Sequence, residues 1–124
     1  MKLEFLAEGP GCPLIRLHDF TQEEARQLRQ VFYSLANGSL KTATLEDMPF
    51  IEAVHGCQLK LLEGTRDRGI YSTASNVFEW ALTRLGWGNV VGLTDPFCQL
   101  DSNGFQWLTA QGPIRLLISH DGKW

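Results

Sequence analysis

The sequence predicts an α+β domain, a mainly antiparallel sheet that carries one amphipathic helix. Three observations lead to this fold class. Segments with alternating apolar residues follow one another over most of the chain, as half-buried strands do. A capping signature precedes one helical segment in the N-terminal third. Strands and helices do not alternate as they do in a doubly wound parallel sheet.

The helix is predicted over residues 22–36. Thr21 precedes it as an N-cap whose hydroxyl can accept a first-turn N–H, and Glu24 can return to the N–H of Thr21. Apolar side chains recur at helical spacing along one side, and charged ones occupy the other. Asn37 and Gly38 end the helix, because glycine adopts the left-handed cap conformation readily. One face of this helix is therefore expected to pack on the sheet.

Strands account for most of the remaining chain. The predicted strands are 2–8, 14–20, 40–45, 57–63, 69–73, 76–83, 104–109 and 113–119. Short turn sequences predict two hairpins, one between the strands at 57–63 and 69–73 and one that closes the chain. Residues 46–56 stay unassigned, since Pro49 cannot lie inside a regular strand. The segment at 86–94 fits a short second helix or an irregular crossing, because its glycines weaken a helix.

Length and charge limit the classes of function. A chain of 124 residues with 44% hydrophobic residues is expected to form one globular domain, residues 1–124. The net charge is −3, and no run of Lys or Arg is present. Binding to nucleic acid or to an anionic membrane surface needs clustered cations. We therefore predict neither activity.

The expected location is cytoplasmic. Glu4 interrupts the short N-terminal apolar stretch, so no secretory signal is predicted, and no apolar run reaches the length of a membrane span. The three cysteines are odd in number and widely spaced. This pattern is typical of reduced thiols rather than of a disulfide framework.

The segment "EAVHGCQLKL" contains His55 and Cys57, the one histidine and cysteine that stand close together in the sequence. Two residues apart on a strand, they could reach one metal ion. A zinc site needs further ligands, and the sequence has no CxxC or HExxH motif. We therefore predict no metal and no cofactor, and expect a histidine in a turn followed by a buried cysteine. No nucleophile motif is present either, so the sequence argues against an enzyme.

Four residues are candidates for binding. Trp87 stands between two glycines in an expected loop, where it could anchor a partner, stack on a ligand or fold back as a lid over one end of the sheet. If so, Trp87→Ala would weaken association without unfolding the protein. Phe97 follows in the same segment, whereas Trp80 and Trp107 lie in alternating strands and are expected in the core. Arg66 and Arg68 are expected at an exposed hairpin tip.

These features favour a non-catalytic binding or protein-interaction module, acting on a protein partner or by self-association. The alternative is a small-ligand-binding protein or small enzyme with a pocket near Trp87 and Phe97. The first predicts an exposed apolar patch. The second predicts a concave site with convergent polar groups.

Overall fold

The computed structural model describes residues 1–99, 103–109 and 112–124 of the chain. This part contains two α-helices, α1 (Gln22–Ala36) and α2 (Arg84–Thr94). Its strands are β1 (Lys2–Leu6), β2 (Leu14–His18), β3 (Thr42–Thr44), β4 (Glu52–Ala53), β5 (Gln58–Glu63), β6 (Ile70–Ala74), β7 (Val77–Leu82), β8 (Phe105–Thr109) and β9 (Arg115–Ser119). Short 3₁₀ turns cover Leu45–Asp47, Val54–Gly56 and Asp95–Cys98.

The described strands form two sheets. One sheet has the order β4-β1-β2-β9-β8 and the other β3-β5-β7-β6. Antiparallel pairs join β1 to β2, β3 to β5, β6 to β7 and β8 to β9. Parallel pairs join β1 to β4, β2 to β9 and β5 to β7. The α+β class is confirmed, and antiparallel pairing is the more frequent kind.

Helix α1 begins and ends as its sequence predicts. The Thr21 hydroxyl accepts the N–H of Glu24 at 3.1 Å, and the Glu24 carboxylate accepts the N–H of Thr21 at 2.9 Å. At the other end Gly38 has φ +80°, and its N–H reaches the carbonyl of Leu35. The helix buries one side, formed by Ala25, Leu28, Val31, Phe32 and Leu35.

The core is one contiguous cluster of apolar side chains. It includes the buried row of α1, the inner faces of both sheets and part of α2. The Phe5 and Phe78 rings, 4.7 Å apart between centroids, connect the two sheets inside it. An isolated antiparallel bridge between Ile70 on β6 and Ile114, the residue before β9, joins the two sheets.

The segment at 86–94 is helical, so the prediction of a short second helix is confirmed and the irregular crossing is not observed. Helix α2 starts at Arg84, where the Thr83 hydroxyl accepts the N–H of Gly86 at 3.1 Å. Asp67 reinforces this end, since its Oδ1 accepts both the N–H and the hydroxyl of Thr83 at 2.9 Å. A Cβ on residue 86 would lie 2.4 Å from that oxygen, so a larger residue there would push the Asp67 carboxylate away from Thr83.

The prediction that Trp87 lies in a loop is wrong, because Trp87 lies in helix α2. Trp87 is 0% exposed and packs inside the core. Its ring stacks on Phe32 at 5.8 Å and meets the edge of Trp80 at 4.8 Å. Its Nε1 donates to the carbonyl of Leu62 at 3.0 Å. Burial of this large apolar ring contributes more free energy to folding than the flanking glycines cost the helix.

The predicted hairpin between 57–63 and 69–73 is also wrong. Strand β7 lies between β5 and β6, and the intervening chain crosses the end of β7, where the N–H of Arg68 reaches the carbonyl of Ala81. The reason is the distribution of buried residues. Strand β7 buries Phe78, Trp80 and Leu82, whereas β6 buries only Ile70. The most apolar strand therefore occupies the interior, and β6 becomes the edge.

Within the described residues, no helix combines the length and apolar character that crossing a bilayer requires.

Trp87→Ala is expected to lower the free energy of unfolding by about 3–5 kcal/mol, because it opens a cavity and leaves the Leu62 carbonyl without its donor. Urea unfolding measures the loss. Leu85→Ala on the same helix is the matched control, since Leu85 is 78% exposed. Equal stability of the two variants would contradict the assignment of Trp87 to the core.

Candidate functional site

His55 and Cys57 do not form a site together. His55 is exposed and has a left-handed backbone, with φ +52°, and its carbonyl accepts the Nδ2–H of Asn76 at 2.7 Å. Cys57 is 0% exposed at the entrance to β5. Burial, with smaller contributions from Glu46 and Glu4, raises the pKa of the Cys57 thiol to about 12. The segment is thus a turn that leads into a strand, as expected from the sequence.

No cluster of three or more His, Cys, Asp or Glu side chains suited to a metal ion occurs in the described part of the chain. Cys12, Cys57 and Cys98 are all free thiols. Burial also raises the pKa of the Cys98 thiol, and the nearby Asp95 carboxylate acts in the same direction. Neither Cys57 nor Cys98 therefore has the lowered thiol pKa that is typical of a nucleophilic cysteine.

The four candidate binding residues fall into two groups. Trp87 and Phe97 are buried; Phe97 packs its ring against Phe20 at 6.0 Å, so neither aromatic is available to a partner as placed. Arg66 and Arg68 are exposed, as predicted, and both line an open depression of about 400 Å³ on the four-stranded sheet. The Arg68 guanidinium lies 5.4 Å from the centroid of the Tyr71 ring.

A different set of residues forms a group of partly exposed aromatic side chains. It lies on the outer face of the five-stranded sheet and is called the aromatic surface below. Phe105 is 46% exposed, Trp124 is 39% exposed, and Trp107 is half-buried, contrary to its expected place in the core. The aromatic surface comprises Pro10, Phe105, Trp107, Arg115 and Trp124.

Strand geometry and one arginine organise the aromatic surface. Phe105 and Trp107 are two residues apart on β8, so their side chains share one face of the sheet, with ring centroids 6.4 Å apart. The side chain of Leu108 points to the other face, into the core between the sheets. The Arg115 guanidinium covers the Trp107 ring at 4.3 Å and donates to the carbonyl of Gly11 at 2.6 Å. Trp124 packs on the same glycine, where a Cβ would lie 3.2 Å from its Nε1.

A cluster of polar side chains fixes the position of residues 120–124, the segment that includes Trp124. Arg16 on β2 donates to the Glu4 carboxylate on β1 at 2.7 Å and to the carbonyl of Gly122 at 2.7 Å. His18, two residues along β2, places its Nε2 3.1 Å from the same Glu4 oxygen. Residues 120–124 are thereby held over the outer face, and a shallow depression of about 390 Å³ opens beside Trp124.

The charges in this cluster shift each other's titration. Burial alone would raise the pKa of Glu4, but the hydrogen bond and charge of Arg16, helped by His18, outweigh it and hold that pKa below its usual value. Burial lowers the pKa of His18, and the positive charge of Arg16 adds to this effect. At neutral pH the cluster is therefore a carboxylate–guanidinium pair beside a neutral imidazole.

Part of this site could have been found in the sequence. The spacing of Phe105 and Trp107 places both rings on one face of a strand, and Glu4 and Arg16 are opposite charges in two consecutive predicted strands. What the sequence does not specify is which face of β8 points outward. The structure decides this, because Leu108 fills the core and Trp107 does not.

Comparison with known proteins gives no family for this chain. No protein-family model matches the sequence, and neither a curated protein nor a solved structure matches it significantly. The geometry of its own residues is therefore the basis for the functional proposals that follow.

Native Cys57 is expected to resist alkylation by iodoacetamide. With a pKa of about 12, the thiolate fraction at about pH 8 is only about 10⁻⁴, and burial blocks access as well. Peptide mass spectrometry should show the half-buried Cys12 modified first and Cys57 modified only after unfolding in urea. Equal rates in the native protein would mean that the 52–61 segment opens.

Acidification is expected to destabilise the fold through His18. An unfolded histidine titrates near 6.5, and the folded pKa is lower, so between the two values the unfolded chain binds more protons. The free energy of unfolding therefore falls as pH drops from about 6.5 through the folded pKa, and this contribution is constant above about pH 7. Urea unfolding at several pH values should show a weaker dependence in His18→Gln. The exposed His55→Gln is the control and should retain the wild-type slope.

Proposed function

We propose that this protein is a non-catalytic binding module that contacts a partner protein through the aromatic surface. The observation that carries the proposal is the group of Phe105, Trp107 and Trp124 around Arg115 on one sheet face. Tryptophan and arginine dominate the energetic centres of protein interfaces, because both combine large contact area with directional polar groups. Exposed aromatic rings in a group are uncommon on surfaces that contact only water.

The charges around the aromatic surface favour a partner with an acidic contact region. Arg115 and Lys123 are the cations beside these rings. Arg115 donates to a carbonyl and covers the Trp107 ring without a carboxylate partner in the described residues, whereas the charge of Lys123 acts on the Asp121 carboxylate. The nearby Asp121 carboxylate already accepts the N–H of Lys123 at 3.0 Å and the hydroxyl of Ser119 at 3.3 Å. A partner carboxylate would supply the missing charge, and complementary potentials also speed association.

The size of the surface is compatible with the centre of an interface. A stable complex buries roughly 800 Å² on each partner, with a small aromatic core and a polar rim. The outer face beyond Arg16 and the 120–124 segment offers polar groups for such a rim. The three free thiols also fit a reducing, cytoplasmic location, which is part of the proposal.

The test compares three immobilised baits in extract of the source organism: wild type, a Phe105→Ala/Trp124→Ala double variant, and Leu85→Ala. The double variant should remain folded, since both rings lie at the surface and outside the core cluster. Quantitative mass spectrometry should identify a partner that binds wild type and Leu85→Ala and is lost from the double variant. Its purified form should then bind the double variant at least about thirtyfold more weakly, the loss expected when a hot spot is removed.

Two outcomes would contradict the proposal. Retention of every partner by the double variant would remove the aromatic surface from the interaction. Sedimentation velocity provides the second check, because a wild-type dimer that dissociates in the double variant would make the partner a second copy of this chain rather than an acidic protein.

A further inference from the structure

The open depression of about 400 Å³ on the four-stranded sheet lies beside the connection from β5 to β6. Three neighbouring strands supply its apolar lining, through Leu62, Tyr71 and Ala81. The connection supplies Arg66 and Arg68. The depression therefore combines an apolar contact surface with two cationic groups.

The connection that carries the two arginines is fixed to the end of β7. The N–H of Gly64 donates to the carbonyl of Leu82 at 2.8 Å. The N–H of Arg68 donates to the carbonyl of Ala81 at 2.9 Å. Between these two points the Asp67 side chain holds the start of α2. A backbone that is already ordered loses little conformational entropy when a ligand binds.

The carboxylates near the depression already have partners. Glu63, which also lines it, pairs with Lys41 at 2.8 Å and with Arg84. These two cations hold the pKa of Glu63 below its usual value. The Glu79 carboxylate accepts the hydroxyl of Tyr71 at 2.7 Å. Neither carboxylate therefore serves as the counter-charge of Arg66 or Arg68.

The two arginines lack such a counter-charge. Neither the Arg66 nor the Arg68 guanidinium contacts a carboxylate in the described part of the chain, and both side chains are exposed. The Tyr71 ring, 5.4 Å from the Arg68 guanidinium, holds that side chain beside the depression. A chain with a net charge of −3 thus presents two uncompensated positive charges at one place.

We propose that this depression binds a phosphate monoester with an apolar body. The two guanidinium charges match the roughly two negative charges that such an ester carries near pH 7, whereas a carboxylate would neutralise only one. Each planar guanidinium can donate two parallel N–H bonds to phosphate oxygens. The apolar body packs against Leu62 and Tyr71. This inference is independent of the aromatic surface, which lies on the five-stranded sheet, so each can fail without the other.

The test uses phenyl phosphate as the probe, at about 50 mM NaCl because salt screens exposed charges. In the ¹H–¹⁵N NMR spectrum the amide resonances of residues 64–69 should move saturably, and the Trp124 indole should stay unchanged. Phenyl sulfate has the same shape but one negative charge. It should bind at least about tenfold more weakly, since a charged hydrogen-bond pair is lost.

Substitutions of single arginines test the two contacts. Arg66→Gln and Arg68→Gln should each weaken phenyl phosphate at least about tenfold, because each removes a charge and its paired donors. Arg26→Gln is the matched control. It removes one positive charge from an exposed position on α1, where Arg26 contacts Glu23, and should bind the probe as wild type does.

A short peptide with a central phosphotyrosine identifies the source of the ester. Tighter binding of this peptide than of phenyl phosphate would support the proposal with the ester on a partner protein. Equal or weaker binding would support it with the ester on a free small molecule.

Three results would overturn the proposal. The first is no saturable shift of residues 64–69 up to about 10 mM phenyl phosphate, the weakest affinity expected of a ligand this size. The second is equal binding of phenyl phosphate and phenyl sulfate. The third is equal weakening in Arg66→Gln, Arg68→Gln and Arg26→Gln, which would reduce the attraction to the net charge of the chain.

Discussion

The contact among Phe32, Trp80 and Trp87 joins α1, α2 and the four-stranded sheet, and the other features of the molecule depend on it. Helix α2 is weak by itself, since its three glycines cost about 3 kcal/mol relative to alanine. Burial of one tryptophan side chain, roughly 200 Å² of surface, contributes about 5 kcal/mol. Trp87 therefore holds α2 in place, and the Asp67–Thr83 cap fixes where the helix begins.

The position of α2 follows from the order of the strands. Because β7 lies between β5 and β6, the chain after β5 must cross the end of β7, and this crossing brings Asp67 to the first turn of α2. The same crossing places Arg66 and Arg68 on the outer side of the sheet. One short connection between β5 and β6 therefore supplies both the Asp67 cap of α2 and the exposed pair of Arg66 and Arg68.

Strand β8 contributes to two different surfaces because its side chains alternate. Phe105 and Trp107 point to the outer face and belong to the aromatic surface, while Leu108 points inward into the core. The outer face is kept in order by Arg16, which links the Glu4 carboxylate to the Gly122 carbonyl. This partly buried guanidinium is well compensated by two acceptors, whereas loss of either acceptor would leave part of its charge unpaired.

The features that depend on neighbours along the chain can be predicted from the order of the residues alone. Helix α1 could be predicted to the residue, because the Thr21–Glu24 capping box and the 3.6-residue periodicity are local. The exposure of Arg66 and Arg68 and the turn at His55 could also be predicted, because both depend on the residues next to them in the sequence. Only the tertiary structure decided the partner of β5, the burial of Trp87 and Phe97, and the outward side of Trp107. These features depend on which apolar surfaces, distant in sequence, pack together most completely. Leu59 and Leu61 pair with Phe78 and Trp80 on β7 rather than with residues of β6, the next strand along the chain.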